Sequence, residues 1–99
     1  NQSLAERMQK LQEDMRAMHE SLAAERFSAT AGGGAVKVTV NGQQRVVAVE
    51  IAPEALGDAA LLADMLVVAT NSALEESQTV AAERLQALGP AIGLPGLGF

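Results

Sequence analysis

Residues 32–51 read GGGAVKVTVNGQQRVVAVEI and narrow the possible folds more than any other stretch. In an extended chain Val36, Val38 and Val40 share one face, and Lys37, Thr39 and Asn41 the other. Residues 45–51 repeat the alternation, with Val47, Val49 and Ile51 one way and Val46, Ala48 and Glu50 the other. The Asn41-Gly42 pair between the two runs is a strong hairpin signal, since both residue types tolerate positive φ. Upstream, residues 26–31 alternate Phe27, Ala29 and Ala31 against Ser28 and Thr30, and the triple glycine at 32–34 supplies a second turn. A three-stranded antiparallel meander is expected. With Phe27 and Phe99 the only aromatics in 99 residues, it is a thin sheet that must be covered by something else.

Two long helices flank it. Leu4, Met8, Leu11, Met15, Met18 and Leu22 step by 4, 3, 4, 3, 4, which is an a/d heptad seam rather than the broader stripe of a helix lying on a core. The spacing predicts a helix over 3–25 with Ser3 as N-cap and Glu6 as its capping-box partner. After a short turn at Pro53, Asp58 is placed to cap a second helix running to about Leu88. Its main apolar stripe is Leu62, Leu66, Ala69, Ala73 and Val80, with Val67, Leu74, Ala81 and Leu88 beside it. Gly89-Pro90 is read as the stop. Residues 1–88 then form one domain, and 89–99 a Gly/Pro-rich apolar tail whose Ile92, Leu94, Leu97 and Phe99 are candidates for docking in a partner's groove.

One helix can cover one face of the sheet, and Val46 and Ala48 make the other partly apolar. Pairing that face with an identical sheet would bury both and shelter the strand edges. A symmetric homodimer joined through its sheets is therefore expected, with Val36, Val38, Val40, Val46 and Ala48 as candidate contacts.

Charge divides the chain. The net formal charge is −5. It falls almost wholly after residue 53, where Arg84 faces Glu54, Asp58, Asp64, Glu75, Glu76 and Glu83. A polyanion would have to approach the first half. No cysteine is present, so disulfides and thiolate metal sites are excluded. No apolar run reaches the ~18 residues of a membrane span, and no signal-peptide pattern opens the chain. A cytoplasmic protein without membrane partners is expected, and an opening Asn1 in place of Met is consistent with a natural start further upstream.

Catalysis finds no footing in these residues. His19 is the only histidine and sits beside the heptad seam. Glu75 and Glu76 point about 100° apart on a helix and cannot act as a carboxylate pair. No ligand set with metal spacing occurs, and the triple glycine lies between strands rather than ahead of a helix that could bind phosphate. No enzyme, cofactor, metal or small-molecule substrate is expected.

Taken together, MQKLQEDM on the leading helix, GGGAVKVTVNGQQRVVAVEIAPEAL in the middle, LLADMLVVATNSALEESQ on the second helix and the Gly/Pro/Leu tail resemble the YbaB/EbfC family of bacterial nucleoid-associated proteins. The resemblance covers nearly the whole chain. It implies an α+β homodimer joined through its sheets, with helices projecting like the arms of tweezers, that binds DNA in the nucleoid without enzymatic activity. Arg7, Lys10 and Arg16 match the basic positions of the family's first helix, and Arg84 is the one basic residue left where family members carry several on the last helix. Lys37 and Arg45 are lesser candidates. Without a recognition-helix arrangement or stacking aromatics, contacts to the duplex backbone with little sequence choice are expected, with bridging or compaction open to such a dimer. The alternative is a protein-interaction module of the same dimeric fold with weak or no DNA binding.

Overall fold

The computed structural model describes residues 3–92. In chain order come α1 (Leu4–Ala24), β1 (Arg26–Ala31), β2 (Val36–Asn41), β3 (Val46–Ile51), a 3-10 turn (Pro53–Gly57) and α2 (Ala59–Ile92). The strands stand in the order β1-β2-β3, antiparallel throughout. Both helix starts are capped as their sequences dictate. Ser3 Oγ accepts the Glu6 N–H at 3.1 Å, and Asp58 Oδ1 accepts the Leu61 N–H at 3.0 Å. Gly32, Gly33 and Gly34 all adopt positive φ in the first turn.

The far end of α2 differs from expectation. Gly89-Pro90 does not stop the helix, which continues to Ile92. Pro90 lacks the N–H that would bond the Gln86 carbonyl, so the last turn continues with one intrahelical hydrogen bond fewer. The tail residues 93–99, with Leu94, Leu97 and Phe99, lie outside the described residues.

The core lies between the sheet and α2, which crosses β1 and β2. Phe27, Val36, Val38 and Val40 meet Met65, Ala69 and Ala73. Ala69 and Ala73 have no exposed surface, so α2 rests close on the strands. Each of the three valines is fully buried and contributes roughly 1.5–3 kcal/mol. The centre of the α2 stripe is Met65, Ala69, Ala73 and Ser77, while Leu62, Leu66 and Val80 sit at its margins, half-buried. Ser77 belongs there because its hydroxyl donates to the Asn41 carbonyl at 2.7 Å, joining α2 to the end of β2.

That burial corrects the expected dimer contacts. Val36, Val38 and Val40 are consumed inside their own chain and have no surface to offer a partner. Val46 and Ala48 do not share a face either. A bulge between Thr39 and Val40 sets Val46 opposite Val40, while Ala48 stays opposite Thr39. The face away from α2 is polar, with Ser28 and Thr39 hydroxyls 2.8 Å apart and Lys37 3.9 Å from Glu50. The uncovered apolar surface lies on the other side. Val49 and Ile51 pair with Val38 and Val36 and so share the helix-side face, but α2 is over the other two strands. Val46, Val47, Val49 and Ile51 remain 37–49% exposed.

Helix α1 leaves the sheet at its C-terminal end. Leu22 is buried, but along the seam toward the N-terminus Leu11, Met15 and Met18 are half-buried and Met8 and Leu4 are 54% and 70% exposed. At ~1.5 Å per residue its 21 residues make an arm of about 32 Å. The molecule measures 66 × 25 × 16 Å.

Candidate nucleic-acid interface

The arm begins where α1 ends. Its final carbonyls are taken up by the β2–β3 turn and by β1. Leu22 O accepts the Gly42 N–H at 2.8 Å, and His19 O accepts Gln43 Nε2 at 3.2 Å. Arg26 Nη1 donates to Ala23 O at 2.9 Å and to Glu25 O at 3.0 Å. The helix terminus is thus held by groups outside the helix. Gly42 is required by this approach and not by its φ. A Cβ there would lie 2.5 Å from Leu22 O.

Along the arm, Arg7, Lys10 and Arg16 are exposed. Lys10 Nζ lies 3.8 Å from Asp14, rather than against Glu6, and Arg16 Nη1 lies 3.1 Å from Glu20. In both pairs the cation precedes the anion by four residues, the weaker orientation on a helix. At this exposure such pairs contribute a few tenths of a kcal/mol, so a phosphate can compete for the cation. Arg7 forms no ion pair among the described residues. Arg7 and Arg16 stand on opposite sides of the helix, with Lys10 about 60° from Arg7.

Arg84 is placed differently from those three. Its Nη2 donates to Glu25 Oε1 at 2.6 Å, its Nη1 donates to Glu25 Oε2, and Nη1 lies 3.4 Å from Ser21 Oγ. Its guanidinium is occupied by a carboxylate from the base of α1. Sequence spacing could not signal this, because the partners are 59 residues apart. Of the lesser candidates, Lys37 is paired with Glu50 on the polar face and Arg45 is exposed in the β2–β3 turn. Helix α2 presents Asp64, Glu75, Glu76 and Glu83 to solvent. The exposed cations Arg7, Lys10 and Arg16 are therefore gathered on the arm, interspersed with Glu6, Glu13, Asp14 and Glu20, whereas α2 is acidic with few cations.

The model of the YbaB/EbfC DNA-binding family matches residues 1–92, which is the sheet, both helices and the whole of the arm. The chain belongs to the YbaB/EbfC DNA-binding family. Its relatives are bacterial proteins named nucleoid-associated. One from Pelotomaculum thermopropionicum is 40% identical over 96 residues, covering 95% of this chain and 91% of the relative. Another, from Streptomyces griseus, is 40% identical over 104 residues, covering 99% and 91%. The fold is shared with the crystal structure of an uncharacterized protein from Helicobacter pylori, at a TM-score of 0.69 and 19% identity, over 79% of this chain and 93% of that one. The chain is thus a member of a DNA-binding family, and its relatives carry the name nucleoid-associated protein rather than that of an enzyme. No helix among the described residues is long and apolar enough to cross a membrane.

Proposed function

We propose that the protein works as a homodimer that holds duplex DNA through the phosphate backbone with little sequence choice, in the nucleoid of the cytoplasm. The observation that carries this reading is the arm, most of which stands clear of the sheet with Arg7, Lys10 and Arg16 exposed. The copies meet through the uncovered helix-side face of β3, where Val46, Val49 and Ile51 await cover, and through the exposed side of α2 that includes Val67. Val67, Leu74, Ala81 and Leu88 recur every seven residues along one flank of α2, the period of a helix-on-helix seam, with Val67 exposed and the other three half-buried. Two copies related by a twofold axis bury the same surface reciprocally and leave two arms for one duplex, or for two that are bridged.

A salt titration of duplex binding tests the reading. Three cations per arm give six per dimer, so the slope of log affinity against log salt is expected between about −2 and −5. Random-sequence duplexes are expected to bind equally. The alternative, a protein-interaction module, is favoured by one observation: Lys10, Arg16, Lys37 and Arg84 all already have acidic partners. Absence of binding at low salt would decide for it.

A further inference from the structure

We propose that Glu25 and Arg84 are a positioning pair: they fix the angle at which the α1 arm leaves the body, and Arg84 touches no phosphate. The inference rests on the DNA-binding reading above for its functional consequence, but the geometry stands alone. Glu25 is the residue just past the end of α1, at the hinge between the arm and β1. Arg84 stands on α2, whose buried stripe is fastened to the sheet from Met65 to Ser77. The two form a two-pronged ion pair, and Ser21 lies beside it one turn back along α1. Among the described residues these are the only side-chain hydrogen bonds that tie α2 to α1 and its C-cap residue.

The chemistry explains why the pair is placed there. A helix ends in negative partial charge, and α1 has no basic residue in its last turn to offset it. Glu25 adds a full negative charge to the same spot. Arg26 satisfies the carbonyls, and Arg84 meets the carboxylate from the opposite element. Two parallel N–H···O bonds fix orientation as well as distance, which a single contact would not. Both side chains are about one-third exposed, so the pair is sheltered more than Lys10–Asp14 or Arg16–Glu20.

A simple electrostatic account predicts the opposite sign for one variant. Glu25→Gln removes a negative charge and releases Arg84, so a phosphate-binding Arg84 would make DNA binding tighter. A positioning pair makes it weaker. The test uses full-length protein with spin labels on Gln9→Cys in the arm and Gln78→Cys on α2, both exposed sites in a chain with no cysteine, diluted into unlabelled protein. Glu25→Gln, Arg84→Gln and the exchanged pair Glu25→Arg/Arg84→Glu are compared in distance distribution and duplex affinity. Each single change is expected to broaden the distance distribution about twofold. If loosening leaves roughly one arm in five at the competent angle, affinity drops about fivefold. The salt slope is expected to stay unchanged, and the exchange to restore both width and affinity. Unchanged widths in both single variants overturn the proposal. So does tighter binding by Glu25→Gln, or a shallower salt slope in Arg84→Gln that the exchange does not restore. Should the unaltered protein fail to bind duplex at low salt, the DNA-binding reading falls, and the distance widths still decide whether the pair positions the arm.

Discussion

Two glycines show how different physical reasons produce the same residue. Gly33 adopts φ of +68° and has nothing within 4 Å of where a Cβ would be. Gly42 has no positive φ, but a Cβ would press into Leu22, 2.9 Å from its Cα and its Cβ. Gly33→Ala therefore costs left-handed strain, about 1–2 kcal/mol. Gly42→Ala must push the base of α1 off the turn, an overpacking cost of about 2–3 kcal/mol. Urea unfolding of both variants at one protein concentration is expected to rank Gly42→Ala as the more damaging. The reverse order would mean that α1 does not seat on the turn.

At the scale of elements, α2 and α1 are held by opposite means. Small residues let α2 lie flat on the strands, so a larger side chain at Ala73 has nowhere to go. Ala73→Leu is expected to lose about 1–3 kcal/mol in thermal or chemical unfolding. An equal Ala69→Leu cost would locate the tightest approach across both turns. The arm α1 depends on its junction, and most of its length stands off the sheet. A cation on it can be removed with little effect on folding. Arg7→Ala is expected to leave the melting temperature within a degree or two and to flatten the salt slope of duplex binding by about 0.9 for each phosphate that Arg7 neutralises. Arg45→Ala, in the turn and off the arm, is the matched control, and an equal flattening there would move the interface away from α1.

At the scale of the whole molecule, β3 leaves apolar surface uncovered. Four apolar residues of that strand are exposed, as are Leu61, Val67 and Val68 of α2, in a chain of net charge −5, which otherwise favours staying apart. Val49→Asp puts a charge in the middle of the uncovered face. Sedimentation is expected to report twice the chain mass for the unaltered protein and a single-chain mass for Val49→Asp. A dimer that survives the aspartate would place the interface elsewhere.

Alternation in residues 26–51, the heptad steps of 4–22, the capping Ser3 and Asp58 and the family resemblance were legible from residue order alone, because each is a local pattern that the backbone period imposes. What they left out was set by contacts between segments far apart in the chain. A bulge moved Val46 opposite Val40, closing α2 over β1 and β2 left the valines of β2 without surface, Ser77 entered the core for an acceptor on β2, and Arg84 found Glu25 across 59 positions. Residue order sets which face of an element is apolar. Only the packed chain decides which of those faces is already covered, and which charges are already spoken for, because burial and ion pairing depend on distance in space.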